Sequence, residues 1–197
     1  MSVGNYQAIL KNSLEDRLGF QTIVEWRSQM GNGLYAPRVD VAIGPFAIED
    51  GIHMTAEHND VFNNQIQFFR MLCKIHLENL GLINEATDGN QIIALINQKV
   101  EVLYYTNYNA RCFMAIEVEN NVSRKHLMGG AINASVLGRI GIAVGYNDEK
   151  HRAFLNLYRY FEFLRNVDKP TFNTSNLLII SKDQLLNTIE TFNNFNL

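Results

Sequence analysis

Residues 111–146 read RCFMAIEVENNVSRKHLMGGAINASVLGRIGIAVGY. RCFMAIEVE is an apolar run of strand length that ends in two acids. SRKHLMGGAINASVLGRIG has helical periodicity, with Ser123 at the N-cap position. GIAVGY is too short and too apolar for anything but a buried strand. Strand, helix and strand in that order imply a central mixed sheet covered on both faces.

The chain on either side agrees. Downstream, DEKHRAFLNLYRYFEFLRNV (148–167) is an amphipathic helix stopped before Pro170; NLLIIS (176–181) is a last strand and DQLLNTIETF (183–192) a closing helix. Upstream, Tyr6, Ile9, Leu10, Leu14 and Leu18 recur at helical spacing, and Gly19 supplies a C-cap. FQTIVEWRSQM (20–30) and RVDVAIGPF (38–46) read as a strand hairpin. In the second strand alternation sets Val39, Val41 and Ile43 on one face and Asp40 and Ala42 on the other. Residues 54–80 form a long helix with a broad apolar stripe. A short helix over 90–99 and a strand at VEVLYY (100–105) follow. The expected fold is one α/β domain over 1–197, a mixed sheet flanked by helices, with 48–108 as a helical insertion.

Composition narrows the function classes. Hydrophobic residues are 47% of the chain, enough for a packed core, and no apolar run approaches the roughly 18 residues of a membrane span. The opening MSVGNYQAIL has neither the basic start nor the apolar stretch of a secretory signal. Cys73 and Cys112 each lie within apolar sequence, as free buried thiols do. Both features fit a cytoplasmic protein. The net charge of −3 excludes a generally basic nucleic-acid coat, yet 111–165 holds 8 basic and 5 acidic residues, a mild bias toward a polyanion partner. The surplus of apolar positions in 54–80 suggests a homodimer.

Strand periodicity points Glu117 and Glu119 to one face of RCFMAIEVE. Acids in an apolar strand are costly unless paired or bound to a cation, and hard carboxylates suit Mg2+ or Mn2+. The plain alternative is an edge strand with one solvated face. Asp40 is likewise the lone acid of its strand; its plain alternative is a salt bridge to Arg38. Arg124, Lys125 and His126 open the next helix, where basic residues oppose the macrodipole. Lys150 reads as an ordinary surface lysine, and no Cys/His spacing suggests zinc.

Pro37-x-x-Asp40 followed on another strand by Glu117-Val118-Glu119 resembles the signature of the PD-(D/E)XK, restriction-endonuclease-like nucleases. The resemblance spans about residues 5–146 and implies an α-β-β-β-α-β core. It implies that Asp40 and Glu117, with Glu15 on the first helix as an auxiliary acid, hold Mg2+ or Mn2+. It also implies cleavage of DNA, with Arg124 and His126 toward the nucleic acid. Glu119 stands where the family's lysine is expected, so the resemblance leaves two candidates for that role, Glu119 itself and Lys125 from the next helix. A catalytically silent relative that binds nucleic acid or protein is the rival reading. The nuclease reading requires Asp40, Glu117 and Glu119 to converge.

Overall fold

The computed structural model describes residues 1–28, 35–47, 53–120, 123–169 and 172–192, and the side chain of Arg124 is not among what it describes. Helix α1 (Val3–Leu18) starts at Ser2, whose hydroxyl accepts the Asn5 N–H, and stops at Gly19, whose φ of 66° is a conformation glycine adopts without steric penalty. Strands β1 (Thr22–Arg27) and β2 (Arg38–Phe46) form an antiparallel hairpin. Helices α2 (Thr55–Asn64), α3 (Ile66–Asn79) and α4 (Gly89–Tyr105) intervene before β3 (Cys112–Glu119). The chain then runs through α5 (Arg124–Leu137), β4 (Gly138–Gly145), α6 (Asp148–Asn166), β5 (Leu177–Ser181) and α7 (Lys182–Phe192). The sheet has the order β1-β2-β3-β4-β5. β2 is antiparallel to β1 and β3, while β3, β4 and β5 are parallel to one another, as helical crossovers require.

Two cores sandwich the sheet. On one side Tyr6, Leu10 and Leu14 of α1, Phe68, Phe69 and Leu72 of α3 and Leu185 and Ile189 of α7 pack on Val41, Ile43, Ile116 and Ile142. On the other, Leu127, Ala131 and Ala134 of α5 and Phe154, Leu155 and Tyr158 of α6 pack on Ala42, Ala115, Ala143 and Ile179. The small residues of α5 and of the strands beneath it bring that helix close to the sheet. A Cβ added at Gly141 would lie 2.9 Å from the backbone of Ala134.

Several expectations are corrected. The stretch 54–80 is two helices, broken at Gln65, where φ is −117° and ψ 24°. VEVLYY is no strand but the last third of α4, a helix capped by Asp88 through the N–H groups of Asn90 and Gln91. Its β-branched and aromatic residues favour strands only weakly. Burial of Ile96 and Leu103 in the core shared with α3 decides the matter. Helix α5 ends at Leu137 rather than running through Gly138–Gly141. A Cβ at Gly138 would lie 2.4 Å from the Ile140 carbonyl oxygen and 2.7 Å from Ala115 N, so that glycine is where β4 enters the sheet. Val39 joins Trp26 in the α5/α6 core rather than following Val41. Within the 48–108 segment, α3 packs on the sheet and buries Phe68, Phe69, Leu72, Cys73, His76 and Leu77.

Candidate functional site

Asp40 and Glu117 meet where β2 lies against β3. The register pairs Val41 with Ile116, which sets Asp40 across from Glu117. Asp40 turns its carboxylate into the ladder: Oδ2 accepts the Val118 N–H at 2.7 Å, taking the place of a backbone acceptor. The Glu117 and Asp40 carboxyls are also joined by a side-chain hydrogen bond. Two acids with 76 residues between them in sequence are thus brought together in a half-buried setting.

Helix α5 forms the roof. A Cβ added at Gly130 would stand 3.5 Å from the Glu117 Cβ and 3.6 Å from its Oε2, so the backbone of the helix passes directly over this acid. One turn on, the Asn133 side chain hydrogen-bonds Glu117. Burial pushes the Glu117 carboxyl up to about 9. The charge of Asp40, the hydrogen bond to it and the charge of Glu119 add to the rise, and Asn133 partly offsets it. Asp40 is raised as well, by burial first and by Glu25 and Glu119. The Val118 N–H and the Arg38 guanidinium pull the other way. Glu117 therefore keeps its proton at neutral pH. Glu119, two residues on, is near enough for its charge to act on both.

The remaining expected residues lie elsewhere. Glu15 does not join the acids. Its Oε1 binds Lys11 Nζ at 2.7 Å and accepts the Thr22 N–H at 3.2 Å, and Lys11 holds its carboxyl below the usual range. Thr22 pairs with Ile43, three residues along β2 from Asp40, which is about 10 Å away. Glu15 is a clasp between α1 and the start of β1. Lys125 and His126 are exposed in the first turn of α5, and among the described residues no hydrogen bond or ion pair ties either side chain to the acids. Ser123 occupies the N-cap position without a side-chain cap bond. Arg124 opens the helix, its side chain lying outside the described residues. Lys150 is not a surface lysine: it is buried at the start of α6, its Nζ 2.9 Å from Glu149.

Three participants escape the sequence reading. Glu25 lies across from Asp40, between the pairs Val24–Val41 and Trp26–Val39, and has a φ of 53°, which non-glycine residues seldom adopt in a strand. Its Oε1 accepts from Gln7 Nε2 at 3.3 Å and its Oε2 lies 2.7 Å from Arg38 Nε. Arg38 is thus engaged with Glu25 rather than in a salt bridge with Asp40. Asn133 is the third, after Glu25 and Gln7. Only Glu25 carried a signal in sequence, as the lone acid in TIVEWR, and reading it required the hairpin register.

The donor set suits a hard divalent cation. Asp40 and Glu117 bring two carboxyl groups together in a half-buried setting. Among the described residues no group of three His, Cys, Asp or Glu side chains is assembled around one point. Mg2+ commonly takes only one or two protein carboxylates and keeps several waters. None of the helices described is long and apolar enough to cross a membrane. Comparison with protein-family models, with curated proteins and with solved structures finds no match.

Proposed function

We propose that this chain is a divalent-metal-dependent nuclease that hydrolyses phosphodiester bonds in DNA. The observation that carries the reading is the placement of Asp40 across from Glu117, two acids from different strands brought together under α5. The order α1-β1-β2, an insertion, then β3-α5-β4 adds support, since it is the α-β-β-β-α-β arrangement that the motif resemblance implies. Asp40 and Glu117 would hold Mg2+ or Mn2+, which when bound supplies a water of lowered pKa and stabilises charge on the phosphate. Asp40 is fixed for this by the Val118 N–H, and Glu117 by Asn133. Glu117 must give up its proton on loading, so burial holds the acid ready without leaving two adjacent charges unpaired. Glu119, or Lys125 swinging back from the first turn of α5, orients or deprotonates the attacking water. His126 lies on the same exposed turn, toward the nucleic acid.

A second reading has its own observation. Among the described residues the partners of Asp40 and Glu117 include no lysine, and a nuclease-fold protein that binds nucleic acid or protein without cutting would need none. Single-turnover cleavage of plasmid and oligonucleotide DNA with Mg2+ or Mn2+ separates the two. Cleavage by the wild type that Asp40→Asn abolishes supports the nuclease. Metal-independent binding without cleavage on any nucleic acid would replace it with the silent relative.

A further inference from the structure

Beyond the acids, the end of the β1–β2 hairpin where β1 stops and β2 begins carries an arrangement that calls for an anion. Arg27 and Arg38 are cross-strand partners in the register, directly opposite one another. Such partners have Cβ atoms about 5 Å apart, and like charges so placed repel. Among the described residues the pair has one carboxylate partner, Glu25. It binds Arg38 through Nε at 2.7 Å, and among the described residues neither Nη of Arg38 forms a hydrogen bond. Arg27 is exposed and, among the described residues, enters no hydrogen bond or ion pair. A guanidinium fastened by Nε presents its two Nη groups as an open fork, the edge that takes two phosphate oxygens in parallel.

The fork is also aimed. Gln7 of α1 holds the other oxygen of Glu25, so Arg38 is tethered through Glu25 to a buried helix residue. Glu25 keeps its positive φ under these two restraints, and residues held in sparsely populated backbone regions cluster at ligand clamps and active sites. The tether sets Arg38 two residues from Asp40, close enough for its charge to act on that carboxylate. The acids bind metal and repel phosphate; the arginines beside them supply the opposite charge where a backbone must enter.

We infer that Arg27 and Arg38 form the phosphate grip of this site, seating the DNA backbone next to Asp40 and Glu117, with Glu25 and Gln7 as positioning residues; the inference rests on the nuclease reading above. The test is binding of a short fluorescein-labelled DNA duplex in Ca2+, followed by anisotropy from about 50 to 200 mM salt. Each phosphate contact contributes about 0.9 to the slope of log K against log salt. Arg27→Gln and Arg38→Gln should each flatten the slope by about that amount, and the double variant by about twice as much. Arg38→Lys, which keeps the charge, should keep the slope. Lys74→Gln, on α3 across the sheet, should leave it unchanged, and circular dichroism checks folding of every variant. Wild-type binding with an unaltered slope in Arg27→Gln and Arg38→Gln would overturn the grip and leave the nuclease reading standing. A flattened slope in Arg38→Lys would overturn it too. A wild type that binds no duplex would overturn the nuclease reading, and the grip with it.

Discussion

Glu117→Gln should make this protein more stable at neutral pH while destroying metal binding. The folded chain holds the Glu117 proton up to about pH 9, whereas an ordinary glutamate loses it near 4.5. Between those values the native state binds one proton more than the unfolded chain, so stability falls as pH rises through this window. The slope approaches 1.36 kcal/mol per pH unit for one group. From about pH 6 to 7.5 the wild type should therefore lose about 2 kcal/mol through Glu117 alone. In Glu117→Gln the slope disappears, because the amide cannot ionise and its N–H can still donate to Asp40. Other titrating groups are common to both proteins, so the difference between their pH profiles isolates this one. Urea denaturation in EDTA at several pH values measures it. The gap should widen in favour of the variant as pH rises from 5 to about 9 and then level off. Parallel profiles would refute the reasoning, for they would mean that Glu117 ionises like an exposed acid. Adding Mg2+ extends the test. Stabilisation of the wild type by Mg2+ should grow with pH, since loading displaces the proton, and the variant should show none.

Asp40→Ala should lower stability by about 1–3 kcal/mol because it leaves the buried Val118 N–H unpaired, whereas Asp40→Asn keeps an acceptor and should fold like the wild type; chemical denaturation distinguishes them, and single-turnover assays should find both inactive. Lys125→Ala should cost on the order of 10²–10⁴-fold in single-turnover cleavage, and Lys74→Ala almost nothing; equal rates would leave Glu119 as the residue acting on water. Gly130→Ala should gain up to about 1 kcal/mol from helix propensity, yet its methyl group would sit 3.6 Å from the Glu117 Oε2 and should weaken Mg2+ binding by calorimetry. Lys150→Ala should destabilise the fold, unlike a surface substitution, because the buried stem of Lys150 packs at the start of α6; a thermal midpoint equal to that of the wild type would contradict its burial.

Local rules carry far along this chain. Period-two alternation alone puts Glu117 and Glu119 on one side of β3, and period 3.6 finds the buried face of α1 at Tyr6, Leu10, Leu14 and Leu18. The strand–helix–strand order after residue 111 suffices for a mixed sheet between helical layers, because an apolar strand must be covered on both faces. What lies beyond local rules depends on pairing between distant segments. Asp40 touches Glu117 only because β2 and β3 pair across 76 intervening residues, in a register that packing of the whole sheet selects. Glu25 joins them through the hairpin register, and its positive φ is a cost that only contacts from α1 and β2 sustain. VEVLYY has strand-like residues and becomes helix because α3 offers a surface to bury it, a tertiary gain larger than the small differences in propensity. Glu15 and Lys150 show the same limit from the side of charge. Which acid meets a second acid, and which lysine is buried, follows from the neighbours the fold supplies, and neither residue type nor spacing encodes those neighbours.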